Sequence, residues 1–250
     1  MATIEEFRLG GYRFIPGGFQ FSGGVAASDS YEIKRCRFRA PVPLNEGFAQ
    51  IEVIIRAAGR PLTAFCACEL RSPGQFTEQG FRQFNESYVL TLGKWGVYDG
   101  KVNPVARSNV CPEIDPPPAP GFHAFSFTVP TTSGTAPSFV ISGSAEARPI
   151  DASYPERIIR YGEHGPDAMR EKGHFVLEEI TRRLALFGVG WRDTTASQVY
   201  TIRDIYPFLA DEIVRRGAAH AGINWHFTRP PVRDLEFEVD CRSVRAEEVM

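Results

Sequence analysis

One order of segments starts twice along this chain, and any fold it adopts must satisfy both copies. In the first, FQFSGG (residues 19–24) and YEIKRCRFRAPV (residues 31–42) read as strands, the second partly alternating until Pro41 and Pro43 close it. NEGFAQIEVIIRAAGRP follows with Phe48, Ile51, Ile54, Ile55 and Ala58 at helical spacing, Asn45 as the expected N-cap, and Gly59 with Pro61 as the stop. LTAFCACEL is rich in branched and aromatic residues and predicts a strand, and FTEQGFRQFNESYVLTLGKWG predicts a second helix presenting Phe76, Phe81, Phe84 and Tyr88. NPVARSNV and GFHAFSFTV close the copy as strands, separated by the acid- and proline-rich loop PEIDPPPAPG.

After the small-residue connector TTSGTAPS (residues 131–138) the order restarts. FVISGSA (residues 139–145) takes the place of the first strand, and PDAMREKGHFVLEEITRRLALFG that of the first helix, with a stripe of Val176, Ile180, Leu184 and Phe187. WRDTTASQVYTI, IYPFLADEIVRRG, AGINWHF and LEFEVDCRSV then fill the places of strand, second helix and two closing strands. The expectation is two copies of one α+β unit of about 125 residues, residues 1–132 and 133–250, resting on order and spacing because the halves share few letters.

Composition narrows the function classes. With 43% apolar and 23% charged residues the chain has the usage of an ordinary globular protein, and a net charge of −2 without a basic block argues against nucleic acid as a partner. No window approaches the roughly 18 apolar residues of a membrane span, and MATIEEFRLGGYRF lacks the pattern of a secretion signal, so a cytoplasmic protein is expected. The odd number of cysteines, Cys36, Cys66, Cys68, Cys111 and Cys241, includes no pair at redox or zinc spacing, and free buried thiols are expected. The five histidines show no metal-binding spacing, and no phosphate-binding glycine motif occurs, so neither a metal nor a cofactor is expected.

Arg107 in NPVARSNV is the residue that most suggests chemistry. A strand places Val105, Arg107 and Asn109 on one face and Ala106, Ser108 and Val110 on the other. The arginine either pairs with Glu113 or Asp115 in the next loop, a surface contact of little worth, or works as an anion clamp.

Four landmarks in order, the SGG turn, a helix ending AAG, FNESY and PVARSNV, resemble the RidA family, also called YjgF or L-PSP proteins. The resemblance covers nearly all of residues 8–130 and, more faintly, residues 138–245. It implies two tandem RidA-like units, each a mixed sheet backed by two helices, in chains assembling as a homotrimer of pseudo-hexameric form with pockets between units. It also implies that Arg107 holds the carboxylate of a 2-imino or enamino acid while water displaces ammonia. A guanidinium suits that role because its planar fork matches a carboxylate and keeps its charge at any accessible pH. Ser22 matches the family's pocket serine, Asn109 the position after the arginine that lines the pocket, and Tyr12 lies near the place of a pocket tyrosine.

One departure puts this chemistry in doubt. The glutamate that positions water in active members would start the closing strand, but GFHAFSFT has no acid, leaving His123 and Ser126 as the nearest polar groups. The second half carries Glu236 and Glu238 in LEFEVDC, while its AGINWHF lacks the arginine. Either one half keeps a working pocket, or a composite pocket joins Arg107 to polar residues of the other half, with His123 and Glu238 as catalytic candidates. The expected function is a deaminase or hydrolase acting on a small carboxylate-bearing imine, enamine or related metabolite. The alternatives are a binding module that kept the clamp and lost the chemistry and, less favoured by charge, an endoribonuclease.

Overall fold

A computed structural model describes residues 3–132 and 136–250, so the unit boundary expected at residues 132 and 133 falls at the edge of residues outside the described set. The chain runs β1 (Glu5–Phe7), β2 (Tyr12–Ile15), β3 (Gly24–Ala27), β4 (Tyr31–Pro43), α1 (Leu44–Ala57), β5 (Phe65–Arg71), α2 (Glu78–Lys94), β6 (Ala106–Pro112) and β7 (Gly121–Pro130). It continues with β8 (Phe139–Ala145), α3 (Tyr154–Arg157), α4 (Pro166–Leu186), β9 (Ala196–Tyr200), α5 (Tyr206–Phe208), β10 (Asn224–His226), β11 (Thr228–Arg229), β12 (Glu238–Ser243) and β13 (Ala246–Val249). This is a mixed α+β fold with two mixed sheets.

The strand orders are β11-β6-β5-β7-β4-β13 and β1-β2-β3-β8-β12-β9-β10. Within them β6-β5-β7-β4 and β10-β9-β12-β8 have the same sequence order, and the directions agree: the first pair of each is parallel and the next two pairs antiparallel. The sheets also trade edges. The N-terminal β1–β3 extends the second sheet through an antiparallel β3–β8 pair, and the C-terminal β13 lies parallel on β4 of the first.

Local sequence explains most elements and corrects several expectations. FQFSGG is not a strand; Ser22 makes a single parallel bridge to Ala106, and pairing starts at Gly24, after the glycines allow the backbone to come close to β8. The hairpin β1–β2 turns at Gly11, whose φ of 72° is one that a side chain disfavours. Asn45 caps nothing: β4 runs straight into α1, and the Leu44 N–H is taken by the Pro120 carbonyl. α2 is capped by Thr77, whose hydroxyl accepts from the Gly80 N–H at 3.0 Å. α4 begins with Pro166 in its first turn and buries Met169, Val176, Leu177, Ile180 and Leu184 on the second sheet.

The second helix expected in the second half is absent as a regular helix. IYPFLADEIVRRG forms the single turn of α5, a π turn and one 3₁₀ turn, and a further 3₁₀ turn follows at Ala218–His220. Its buried residues Ile205, Phe208 and Ile213 fall three and then five positions apart, a five-residue step that a 3.6-residue helix cannot keep on one face, and Gly217 at φ 124° ends the run.

Two apolar clusters hold helices to sheets, one joining α1 and α2 to the first sheet, the other joining α4 to the second. In the first, Phe48 meets Trp95 and Phe122 edge-on at centroid distances of 5.2 and 4.8 Å. Between the sheets an apolar cluster that includes Tyr12, Phe14, Val25, Ile33 and Cys66 is accompanied by a polar layer. Arg35 makes a two-point contact with Glu69 at 2.7 and 2.8 Å and a third bond to Glu247 at 2.6 Å. Asp240 accepts from Gln198 and Tyr200, both at 2.8 Å. Charges this far from water are tolerable only with such partners. All five cysteines are free and buried; Cys66 and Cys68 fall into different clusters because the register shifts between Phe65 and Ala67. Among the described residues no helix is long and apolar enough to cross a membrane.

Candidate active site

The sheets meet at Arg107. Its N–H donates to the Ser142 hydroxyl of β8 at 3.0 Å, that hydroxyl donates to the Ser22 carbonyl at 2.6 Å, and the Ser22 N–H returns to the Val105 carbonyl at 2.9 Å. This three-bond joint fixes the edge of β6 against β8. The side chain of Arg107 then runs over the apolar face of α2. Its guanidinium lies 4.8 Å from the centroid of Tyr88, 4.9 Å from Phe21 and 5.7 Å from both Phe81 and Phe84. Nη2 donates to Asn85 Oδ1 at 2.5 Å, and Asn85 Nδ2 is in turn anchored on the Phe81 carbonyl at 2.7 Å.

The arginine is buried and, among the described residues, makes no ion pair with a carboxylate. Glu113, one of its expected surface partners, instead pairs with Arg229 at 2.8 Å. The Nη1 of Arg107 is buried without a hydrogen-bond partner among the described residues, and so is the Nδ2 of Asn109, whose Oδ1 is occupied by the Ser72 hydroxyl at 2.9 Å. Both residues line one cavity of about 220 Å³. Two buried N–H donors without a protein acceptor, one of them cationic, have the chemistry that suits a carboxylate.

Glu238 of β12 lines the same cavity. Burial pushes its carboxyl up to about 8, with Asp240 and Glu146 adding to the rise and Arg107 and Arg71 opposing it. No protein group hydrogen-bonds this side chain among the described residues. Its position depends on Gly143 of β8: a Cβ there would fall on Oε1 of Glu238 and 2.9 Å from its Cδ. The residues just before Glu238 are pinned as well, since Glu146 accepts from the N–H groups of Glu236 at 2.7 Å and Phe237 at 3.1 Å while meeting Lys172 at 3.2 Å, both side chains fully buried.

The fold thus brings together Arg107, Asn109 and Glu238 and leaves the other three candidates elsewhere. Ser22 is fully buried in the joint behind the cavity, its hydroxyl bonded to the Gly24 carbonyl. Tyr12 lies in an apolar cluster with its hydroxyl on the Phe65 carbonyl at 3.1 Å, and burial raises its pKa. His123 faces the polar layer between the sheets; burial, reinforced by Arg71, lowers its pKa to about 3, so it is a neutral ring at physiological pH. His226 is held similarly, stacked on Tyr200 at 5.1 Å and bonded to Gln198 at 3.1 Å.

Asn85 was overlooked by the sequence reading although it left a signal, being the polar residue in a stripe of Phe81, Asn85 and Tyr88 at helical spacing. Gly143 left none, because it matters only as space for Glu238. Among the described residues no group of three histidine, cysteine or acidic side chains is placed to hold a metal ion.

Comparison with known proteins leads to deaminases. The chain is 49% identical over 251 residues, spanning all of both proteins, to a 2-amino-5-chloromuconate deaminase of Comamonas testosteroni. Solved structures overlap loosely. A chorismatase is 17% identical, over 88% of this chain and 77% of that one, with a TM-score of 0.41. Escherichia coli TdcF with bound serine is 15% identical, over 46% of this chain and 85% of that one, with a TM-score of 0.28. The family described as 2-aminomuconate deaminase CnbZ matches residues 4–248, and this chain, an enzyme of the deaminase-like hydrolase type, belongs to it.

Proposed function

We propose that the enzyme hydrolyses a 2-aminomuconate-type enamine, a six-carbon conjugated dicarboxylate, to the 2-oxo acid and ammonia. The observation that carries this reading is the cavity that Arg107, Asn109 and Glu238 line together, two of these residues carrying a buried N–H donor without a protein acceptor and the third a carboxyl that burial pushes up to about 8. The carboxylate next to the amino carbon fits Nη1 of Arg107 and Nδ2 of Asn109, and the diene fits the aromatic walls.

The residues account for each step. Protonated Glu238 delivers its proton to carbon of the enamine, which becomes a C=N iminium. The resulting Glu238 carboxylate takes a proton from water as its oxygen bonds to the iminium carbon. The carbinolamine nitrogen then takes that proton from Glu238 and leaves as ammonia while the C=O forms, the hydroxyl proton returning to the Glu238 carboxylate, so one water is consumed, one ammonia is released and the acid is restored. Arg107 fixes the reacting carbon relative to Glu238, where orientation lowers the barrier. Asn85 is a positioning residue that aims the guanidinium.

In this reading the pocket is composite, its arginine from residues 1–132 and its acid from residues 133–250, and His123 is not the base. The recurring strand order and directions support two tandem RidA-like units per chain, and a homotrimer remains the assembly we propose. Purified enzyme supplied with 2-aminomuconate should release ammonia as the diene absorbance falls, and Arg107→Ala or Glu238→Gln should abolish both. Wild-type enzyme that releases none would overturn the proposal.

A further inference from the structure

The cavity shares Phe81, Tyr154 and Arg157 with a neighbouring open cleft of about 730 Å³ against the start of α2. Arg157 is the cation at this neck. The other arginine nearest the cavity, Arg183, is committed to Glu179 at 2.8 Å and to the Ser142 carbonyl at 3.2 Å, and Arg82 in the cleft pairs with Glu86 at 3.1 Å. Arg157 has no carboxylate within ion-pair reach among the described residues. Among the described residues its one side-chain hydrogen bond runs from Nε to the Arg148 carbonyl at 2.9 Å, and Nη1 and Nη2 make none.

The mount is rigid. The Arg148 N–H donates to the Arg157 carbonyl at 3.0 Å, so the same residue holds both backbone and side chain, and the guanidinium sits 4.8 Å over the Tyr154 ring. Ser153 and Glu156 close a capping box around this turn, and Ile158 and Ile159 are buried beside it. An arginine fixed at Nε with both terminal nitrogens unpaired among the described residues, at the mouth of a cavity whose floor already holds one carboxylate site, is placed to take a second.

We infer that Arg157 is the specificity residue that binds the far carboxylate of a dicarboxylate substrate. The inference rests on the assignment of Arg107 to the near carboxylate. It makes the enzyme selective for dicarboxylates over monocarboxylates of the same skeleton.

The test uses two unreactive six-carbon dienes, trans,trans-muconate with two carboxylates and sorbate with one, titrated calorimetrically into wild type, Arg157→Met and Arg157→Lys. Wild type should bind muconate about 10- to 100-fold tighter than sorbate, the range expected for one charge-assisted contact. Arg157→Met should erase that gap with sorbate affinity held within about two-fold, and Arg157→Lys should restore part of it. A wild type without the preference, an Arg157→Met enzyme that keeps it, or a variant that loses sorbate equally would each overturn the inference. Ammonia release from 2-aminomuconate is read separately. A preference that follows Arg157 without turnover would sustain the clamp and refute the deaminase reading, and turnover without the preference would do the reverse.

Discussion

Replacing Glu238 by glutamine should make the protein more stable as it makes it inactive, and increasingly so as pH rises. The carboxyl ordinarily titrates near 4.5 and is pushed up to about 8 in the fold. Between those values the unfolded chain gives up the proton while the folded chain keeps it, so the folded state binds more protons and stability falls as pH rises. Below about 4.5 this loss is absent; above about 8 it is complete. At 1.36 kcal/mol per unit, the stretch up to pH 7 removes about 3 kcal/mol from the wild type, and glutamine, which does not titrate, escapes that loss. For a chain of this size that corresponds to a relative gain of about 6–12 °C in Tm. Thermal unfolding of both proteins at about pH 5 and about pH 7.5 isolates the effect, because the pH-independent cost of the amide cancels between them. A Tm difference that does not change between the two pH values would refute the reasoning.

The remaining predictions concern the same cavity. Gly143→Ala should cost about 100-fold or more in kcat while the protein stays folded, because the new methyl group occupies the place of the Glu238 carboxylate; unchanged kinetics in a steady-state assay would show that Glu238 works from another position. Arg107→Lys should raise KM and lower kcat together, since an ammonium cannot reproduce the two-point geometry, and a variant within about two-fold of wild type would exclude the clamp. The kcat profile should fall above about pH 8 as Glu238 loses the proton it donates, and a profile that rises instead would make the carboxylate the starting form. His123→Phe should leave kcat within about three-fold, as expected of a neutral ring outside the cavity, and loss of turnover in a folded variant would return it to the mechanism.

The sequence made the face of α2 legible because apolar residues at helical spacing must be buried, and that face proved to be the aromatic wall around Arg107. Arg107 and Asn109 were legible for the same kind of reason, since a period of two places both on one side of β6. Glu238 was readable only as a displaced counterpart of a missing acid; its meeting with Arg107 depends on β8 lying beside β6, a contact between residues far apart in the chain. Tyr12 and Ser22 were misplaced because spacing along the sequence does not record that β1–β3 crosses to the other sheet, which turns Tyr12 into core and Ser22 into a joint. His123 looked polar enough for chemistry, and only the burial of its strand beside Arg71 keeps its ring neutral.

The most direct test of the central claim is a crystal structure of the Glu238→Gln enzyme with 2-aminomuconate bound. The account predicts the near carboxylate within about 3.2 Å of Arg107 Nη1 and Asn109 Nδ2, and the amino-bearing carbon beside residue 238. Substrate seated in the polar layer near His123, or a carboxylate held away from Arg107, would contradict it.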